Sequence, residues 1–422
     1  MNQEKQPLMP CHNVIARLLL KQGKAKVKSK TPFTIQLLYN TSSYIQDITL
    51  GMDTGSSKVG VAAVTEKSKV VYVSEITLRN DISEKLTRRG KYRRTRRSRK
   101  TRYRKPRWRN RKNSIKKHRF SPTMTSKFHA HMKEIHFVQS ILPISNMVLE
   151  TANFDSHALK NPEVLKNKLL YQRGVNYGYA NAKAYVLHRD NHTCQYCSGK
   201  SRNQRLEVHH IVFRKNGGSD EPENLITLCK SCHDKVHLHL IQITLSGKQK
   251  GDLKHATQMN SIRMQLLKRI PEARETFGFI TKEHRQLLGL PKEHYMDAVV
   301  IAGQGKYVAF DRLQVLFKRR VSVGDYQQTK GIRSQQSIPT GKIQGFRKFD
   351  KVSYLGKTYF IKGRMTSGYA ILMDIHATKI DFSTAPKGYK TPKLKNCKRI
   401  TARSNAMIDS KPIQDRFNSS HD

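Results

Sequence analysis

The chain has 422 residues, more than one hydrophobic core usually supports, and 37% of them are hydrophobic, so several structural units are expected. Lys and Arg number 80 against 31 Asp and Glu, a formal net charge of +49 that would repel itself in a compact fold without a polyanion. A net charge this large argues against the interpretation that the basic residues only keep the protein soluble, and it favours nucleic acid as the partner. A membrane surface is disfavoured because no segment joins a basic face to a strongly apolar one.

The chain shows no sign of export or membrane insertion. It has no apolar run of roughly 18 residues, and its N-terminus lacks the pattern of a secretory signal. We therefore expect a cytoplasmic, nucleoid-associated bacterial protein with no membrane partner. In a reducing compartment, cysteines placed as Cys-x-x-Cys pairs indicate a metal site, and four of the six cysteines have this arrangement.

Residues 1–47 form a small opening unit, with a short apolar helix followed by the strand-like segment FTIQLLY. From Ile48 the pattern predicts three strands joined by tight turns. Asp53 is the unusual residue in the first of these strands, since an isolated carboxylate among apolar residues is costly unless it is bound to a metal.

A basic tract follows these strands. From Arg88 to Arg119, 19 of 32 positions are Lys or Arg, and no acidic residue lies between Lys85 and Lys133. The pattern predicts a helix as far as about Lys105, where Pro106 would end or kink it. Like charges at i,i+4 destabilise such a helix alone, so we expect phosphates to order it. A disordered basic tail is the alternative, but this tract joins two structured segments.

Two Cys-x-x-Cys pairs enclose a possible metal-binding unit. The first pair is Cys194 and Cys197, the second is Cys229 and Cys232, and 31 residues separate the pairs. This spacing allows four thiolates to surround one Zn²⁺. Because four thiolates leave no open coordination position, we expect the zinc to be structural and the chemistry to lie between the pairs.

The segment between the pairs resembles the HNH endonuclease motif. It reads as strand, Gly-Gly loop, strand and helix, the layout of a ββα-metal fold. The resemblance implies that His209 is a metal ligand, His210 the general base that activates water, and His233 the last ligand. Asn224 would brace the loop.

His209 stands where a carboxylate is common in this motif, which leaves the metal preference open, because imidazole also suits softer ions than Mg²⁺. His237 and His239 are interpreted as ordinary helix residues, although either could be an additional ligand.

A second group of acidic residues is spread along the chain. Asp53 and Glu150 are lone acids in apolar strands, and His294 and Asp297 lie at i,i+3 on one helix face. Each alone could be a capped or solvated group. Together and in this order they resemble the three split pieces of a RuvC-like, RNase H-fold nuclease. That resemblance implies Mg²⁺ ligands at Asp53, Glu150 and Asp297, with His294 as base or ligand.

The order of these features resembles the IscB family of transposon-associated, RNA-guided nucleases. The shared features are a split RuvC domain, an arginine-rich bridge helix, an HNH insertion and an N-terminal Pro7-Leu-Met-Pro10 segment. The implied fold class is multidomain α+β. The predicted domains are a PLMP domain (1–47), RuvC piece I (48–84), the bridge helix (85–120), RuvC piece II with a linker (121–180), the HNH domain with zinc knuckles (181–245), RuvC piece III (246–330) and a β-rich C-terminal domain contacting target-flanking DNA (331–422).

This resemblance implies a monomeric protein in a ribonucleoprotein with a structured noncoding guide RNA. The HNH site would cut the guide-paired strand of a double-stranded DNA target and the RuvC site the displaced strand, with Mg²⁺ at both sites and structural Zn²⁺. The residues implied to contact nucleic acid are Arg88, Arg89, Arg93, Arg94, Arg96, Arg97, Arg99, Arg102, Arg104, Arg107 and Trp108. Two other readings remain: a protein-only HNH homing or restriction endonuclease, and a non-catalytic RNA-binding transposon accessory protein.

Overall fold

The structure is a computed structural model that describes residues 1–42, 44–100, 120–200, 205–243, 253–310, 313–322, 326–328, 335–337 and 342–413. Four of the predicted nucleic-acid contacts, Arg102, Arg104, Arg107 and Trp108, lie outside these residues. Within them, no helix has the length and apolar character needed to cross a membrane. The chain divides into two compact units, Met1–Ala152 with Ile262–Asp422, and Asn153–Ser261.

The larger unit is built around a mixed sheet of seven described strands. Its strands are β3 (Ile48–Asp53), β4 (Lys58–Thr65), β5 (Val70–Thr77), β6 (Asn146–Thr151), β9 (Arg274–Phe277), β10 (Gln314–Arg320) and β17 (Ala406–Pro412). Their order across the sheet is β17-β10-β5-β4-β3-β6-β9. β3, β4 and β5 form an antiparallel meander, and β6 lies parallel to both β3 and β9. The central strands are almost wholly buried because helices cover them.

The helix α9 (His294–Ala302) packs directly on β3 and β4. Its residues Ala298 and Val299 share a buried core cluster with Ala62 of β4. Gly60 makes the close approach possible, because a Cβ atom there would lie 1.8 Å from the His294 carbonyl oxygen. Since Gly60 pairs with Asp53 across β3 and β4, the first turn of α9 is brought beside the Asp53 carboxylate.

Further helices of this unit are α1 (Asn13–Lys21), α2 (Ile82–Lys100), α3 (Pro122–Gln139) and α8 (Gly278–Leu287). α3 carries buried polar residues against the sheet. Glu134 accepts hydrogen bonds from Tyr72 at 2.7 Å and from Lys318 at 2.6 Å. Burial alone would raise the pKa of Glu134, but the Lys318 ammonium and these hydrogen bonds outweigh it and lower the pKa.

Three small sheets complete the larger unit as far as it is described. α1 packs on a hairpin of β1 (Ala25–Lys30) and β2 (Phe33–Leu37). A four-stranded antiparallel sheet has the order β15-β14-β13-β16. Its strands are β13 (Lys351–Tyr354), β14 (Lys357–Arg364), β15 (Ala370–Met373) and β16 (Lys398–Thr401). A short pair, β11 (Tyr326–Gln328) and β12 (Gln335–Ser337), precedes it.

The smaller unit contains β7 (Leu206–His210), β8 (Leu225–Cys229) and the helix α6 (Lys230–His237), which are the elements of a ββα arrangement. α4 (Ser156–Lys160) and α5 (Ala182–Arg189) precede them. The Arg189 guanidinium donates hydrogen bonds to the carbonyl oxygens of Pro222 and Leu225, which ties α5 to β8. The following helix, α7 (Lys254–Arg269), runs from this unit into the larger one.

The structure departs from the sequence-based outline in three places. β17, from the segment predicted as the C-terminal domain, pairs with β10 of the large sheet. The inserted unit, Asn153–Ser261, is longer than the predicted 181–245 because it includes the segment before α5 and the start of α7. The sequence analysis also assigned no element to the segment that forms α3.

Candidate functional site

The acidic site, defined as Asp53, Glu150, His294 and Asp297, is assembled by the large sheet and α9. Asp53 and Glu150 are direct register partners at the ends of the parallel strands β3 and β6. His294 Nδ1 lies 2.6 Å from Asp53 Oδ2, and Asp297 follows one turn later on the same helix. Three segments far apart in the sequence therefore bring these side chains together at the C-terminal ends of β3 and β6.

The Glu150 carboxylate is held in a confined position. The backbone oxygen of Glu150 accepts a hydrogen bond from Thr54 Oγ1 at 2.6 Å. The side-chain Oε2 atom is buried and has no hydrogen-bond partner among the described residues. The N-terminus of α8 lies close to the other carboxylate oxygen, because a Cβ atom at Gly278 would be 3.1 Å from Oε1. An orphaned, buried carboxylate oxygen is the kind of atom that a bound cation would satisfy.

The carboxylates also repel one another. Burial, followed by the charge of Asp53, raises the pKa of Glu150 to about 7. Burial raises the pKa of Asp53 as well, although the hydrogen bond with His294 opposes the shift. The same hydrogen bond raises the pKa of His294. A hard, oxygen-seeking dication such as Mg²⁺ would relieve this repulsion, so the donor set fits such an ion.

Two cations hold Asp297, and the sequence analysis identified neither. Arg285 Nε lies 2.9 Å from Asp297 Oδ1, and Lys292 forms an ion pair with Oδ2. Arg285 is largely buried, with 12% of its side chain exposed, whereas Lys292 is 70% exposed. Lys292 precedes α9 by two residues, and its proximity to a lone acid five positions later was the available signal.

The second cluster, the histidine site, consists of His209, His233 and His237. One ring nitrogen of each lies within 4.8 Å of the others, and the Nε2 atoms of His233 and His237 are 3.3 Å apart. His209 is buried in β7, and its Nε2 has no hydrogen-bond partner among the described residues. Burial first, then the neighbouring histidines, lowers the pKa of His209 to about 4. A neutral imidazole is the form that binds a metal.

His237 was interpreted from the sequence as an ordinary helix residue, but the structure places it in this cluster. It lies at i,i+4 from His233 on α6, and this His-x-x-x-His spacing was the signal that could have identified it. Three imidazole nitrogens suit first-row transition ions better than Mg²⁺. The donor set therefore does not fit the prediction of Mg²⁺ at the histidine site.

His210 lies outside the cluster because adjacent residues on a strand point to opposite sides. Its Nε2 is 3.0 Å from Asp220 Oδ1, and Arg214 contacts the same carboxylate oxygen at 2.6 Å. Asn224 is fully buried, and its amide bonds with both the N–H and the oxygen of Val212 and with the Ser219 oxygen. These bonds hold the loop after β7, and they use the amide atoms that a metal would need.

The four cysteines form a compact group. Their sulfur atoms all lie within 4.8 Å of one another, and Cys197 Sγ and Cys229 Sγ are 3.9 Å apart. Sulfurs around a tetrahedral Zn²⁺ with bonds of about 2.3 Å would be separated by about 3.8 Å. Burial and the neighbouring thiols raise the pKa of the Cys232 thiol, a penalty that a dication would remove. The cluster fits structural zinc.

The arginine-rich tract is helical where it is described. α2 carries seven of the predicted contact residues, and each of them is exposed. They are Arg88, Arg89, Arg93, Arg94, Arg96, Arg97 and Arg99. Arg88 pairs with Glu84 at 2.8 Å, the acidic residue in the first turn of the helix. The helix thus presents a band of guanidinium groups that suits a phosphate backbone.

Family models match two parts of the chain. The model described as RRXRR protein matches residues 1–174, and the model described as HNH endonuclease matches residues 194–238. Among curated proteins, the chain is 29% identical over 101 residues to the type IV methyl-directed restriction enzyme EcoKMcrA of Escherichia coli K12, covering 22% of this chain and 34% of that protein. It is 30% identical over 69 residues to anaredoxin of a Nostoc species, covering 16% of this chain and 88% of that protein.

Among solved structures, the chain is similar to Streptococcus thermophilus Cas9 in complex with the GGAA PAM, with 14% identity and a TM-score of 0.33 over 58% of this chain and 32% of that one. A second structure of that protein, with the AGGA PAM, gives 13% identity and a TM-score of 0.32 over 57% and 32%. The match covers about a third of the length of Cas9 and of the restriction enzyme.

Proposed function

We propose that this chain, whose matches to the RRXRR and HNH family models support an IscB/Cas9-like nuclease, is an RNA-guided DNA endonuclease that cuts both strands of a double-stranded target. The observation that carries the proposal is the presence of two unlike clusters in separate units of one chain. One is the imidazole-rich histidine site, whose ring nitrogens lie close enough to hold one ion. The other is the oxygen-rich acidic site, where Asp53 and Glu150 are neighbours on adjacent strands. An enzyme that cuts only one DNA strand would need only one of these two clusters.

The acidic site supports the RuvC assignment. The strand order β5-β4-β3-β6-β9, with an antiparallel meander followed by parallel strands, agrees with the RNase H-like fold that the RuvC resemblance implies. Bound Mg²⁺ would activate water and stabilise the leaving oxygen in such a site. Asp53 and Glu150 would hold the ion, while Arg285 fixes Asp297. His294, held by Asp53, would accept a proton at the edge of the site.

The histidine site supports the HNH assignment. His209, His233 and His237 would hold a divalent transition ion, which would polarise the scissile phosphate. His210 is the proposed general base, and Asp220 fixes its ring through the contact at Nε2, leaving Nδ1 to take the proton from water. Asn224 keeps the loop after β7 in place by its three hydrogen bonds. The cysteine cluster would hold zinc and fix the start of α6.

Guide RNA is the proposed counter-charge for α2 and for the net charge of +49. The HNH site would cut the guide-paired strand and the RuvC site the displaced strand, and the protein would act as a monomer in a cytoplasmic ribonucleoprotein. A protein-only restriction endonuclease is the second candidate, favoured by the similarity to the methyl-directed restriction enzyme. A non-catalytic RNA-binding protein is disfavoured because it has no use for two metal sites.

Copurification separates these candidates. If the proposal is correct, protein purified from its host carries a discrete, tightly bound noncoding RNA, and DNA cutting depends on a segment of that RNA. Sequencing the RNA and changing this segment should redirect the cut. DNA cutting by protein free of RNA would favour the restriction-type candidate instead.

The two-site arrangement is tested by a pair of substitutions. On supercoiled target DNA, Asp53→Ala should leave an enzyme that cuts only the guide-paired strand, and His210→Ala one that cuts only the displaced strand. Strand-specific end labelling identifies which strand is cut. Loss of both cuts in either variant, with RNA binding retained, would contradict independent sites.

A further inference from the structure

A large cavity lies in the larger unit, and none of the four acidic-site residues lines it. Its volume is about 650 Å³, within the range of roughly 300–1,000 Å³ typical of pockets for small organic ligands. It is bordered by α3, by the end of β10 and by the segments that flank the arginine-rich tract. We call it the α3 pocket, and its principal lining residues are Arg79, Phe120, His129, Lys133 and Arg320.

The basic side chains of the α3 pocket are only partly neutralised. Lys133 is exposed and has no ion-pair partner among the described residues. Arg320 approaches Glu134 with one terminal nitrogen at 3.4 Å, but its Nε is buried and lacks a hydrogen-bond acceptor in the described part of the chain. Arg79 is paired with Asp81 at 2.9 Å. The pocket therefore offers a cation and an unsatisfied donor to an anionic group.

The remaining lining suits a flat, unsaturated ring. Phe120 and His129 both border the cavity, and most of the surface around them is contributed by apolar atoms. Aromatic side chains stack on nucleic-acid bases regardless of sequence. An anion together with a planar ring is the chemistry of a nucleotide. A base paired within a duplex cannot enter a concave pocket, so the nucleotide would have to be unpaired.

The position of the α3 pocket relates it to the arginine-rich tract. Arg79 lies three residues before the start of α2, and Phe120 directly follows the tract in the sequence, so residues that flank this segment on both sides line the pocket. Nucleic acid held by α2 would pass the pocket. Folded RNAs supply the unpaired bases of loops and bulges that proteins recognise in this way.

We propose that the α3 pocket binds one unpaired nucleotide of the RNA held by the arginine-rich tract. The base stacks against Phe120 and His129, and the phosphate contacts Lys133 and Arg320. This inference rests on the proposed function for the presence of RNA. It adds a base-binding site that fixes the RNA at one point, beyond the general attraction of the tract for phosphates.

The test is ultraviolet cross-linking of the copurified ribonucleoprotein, followed by trypsin digestion and mass spectrometry. Trypsin releases residues 120–127 and 128–133 as separate peptides, one containing Phe120 and the other His129. A ribonucleotide adduct is expected on one or both. Lys133→Glu should lower the adduct yield on 120–127, relative to the total RNA cross-linked to the protein, by about tenfold, the ratio given by a lost contact of about 1.4 kcal/mol.

Lys67→Glu is the matched control, because it makes the same charge change as Lys133→Glu. Lys67 is exposed in the turn before β5, at the other end of this strand from Arg79. It should leave the yield unchanged, and equal melting temperatures would show that Lys133→Glu folds normally. Cross-linked RNA with no adduct on 120–127 or 128–133 would overturn the α3 pocket and leave the proposed function intact. A deoxyribonucleotide adduct would overturn the assignment to RNA. Protein that carries no RNA would overturn the proposed function itself.

Discussion

At the scale of single residues, His237 alters the understanding of the histidine site. The sequence motif suggested ligands at His209 and His233, with His237 as part of the helix surface. In the structure the ring centroids of His209 and His237 are 5.1 Å apart, and those of His233 and His237 are 4.5 Å apart. Two imidazoles left the metal preference of the site open, whereas three imidazoles form a donor set that suits a transition ion.

We expect His237→Ala to weaken cutting of the guide-paired strand by about 10–100-fold, the cost typical of losing a group that supports a metal site. The reason is that two imidazoles hold a divalent ion less firmly than three. His239→Ala is the control, since His239 is exposed on the residues after α6. Metal titration followed by strand-specific nicking measures both, and equal behaviour of the two variants would remove His237 from the site.

Lys292 raises a different question at the acidic site, because its ammonium pairs with Asp297 and so competes electrostatically with any cation that Asp53 and Glu150 would bind. We expect Lys292→Ala to lower the melting temperature without metal, since the buried carboxylates lose a neutralising charge. The exposure of Lys292 keeps this effect modest. Added Mg²⁺ should then raise the melting temperature by more than in the unchanged protein, because a competing cation is gone.

Lys282→Ala serves as the control for this comparison, because Lys282 is exposed on α8 and lies outside the acidic site. Thermal unfolding with and without Mg²⁺ measures the effect for each variant. An identical Mg²⁺-induced shift in both would show that Lys292 does not compete with the ion.

At the scale of elements, the acidic site depends on how closely α9 approaches the sheet. Asp53 and Glu150 could be selected from the sequence because each is a lone acid in an apolar strand. Their pairing is a long-range register between β3 and β6 that no local pattern encodes. The contact of Arg285 with Asp297 likewise arises only once α8 and α9 pack together.

Other elements were missed for reasons that can be stated physically. α3 buries Lys127, His131 and Glu134, so its buried face does not read as an apolar stripe with helical period. β17 pairs directly with β10, although more than eighty residues of sequence separate the two strands. The sequence predicts a β-rich region over 331–422, but sequence periodicity carries no information about which strands pair. By contrast, the ββα elements around the cysteines follow local spacing, and their layout was predicted.

Gly60→Ala tests the approach of α9. The new methyl group would meet the His294 carbonyl at 1.8 Å, so α9 must move away and carry His294 and Asp297 with it. We expect a loss of stability of about 1–3 kcal/mol, typical of overpacking. Cutting of the displaced strand should be lost while the guide-paired strand is still cut.

Gly90→Ala provides the contrast, because a Cβ at Gly90 on α2 meets nothing within 4 Å. Alanine in a helix is favoured over glycine by roughly 0.5–1 kcal/mol, so this change should be neutral or stabilising. Chemical denaturation and strand-specific nicking report on both variants. If Gly60→Ala retains full cutting of the displaced strand, the position of α9 is not what assembles the site.

At the scale of the whole molecule, the two compact units differ in what holds them together. The larger unit has an extensive sheet covered by helices. The smaller unit has a modest apolar cluster in which Cys194, Cys229 and Cys232 are themselves members. A core of that size depends on its metal, because the binding free energy of a structural zinc contributes directly to folding.

We therefore expect two thermal transitions, of which only one responds to zinc. A strong zinc chelator, or Cys232→Ser, should lower the transition of the smaller unit and leave the other where it is, while Cys11→Ser, at an exposed lone cysteine, changes neither. Differential scanning calorimetry with metal analysis of the protein provides the measurement. A single transition, or two that shift together on chelation, would mean that the cysteine cluster stabilises more than the unit that contains it.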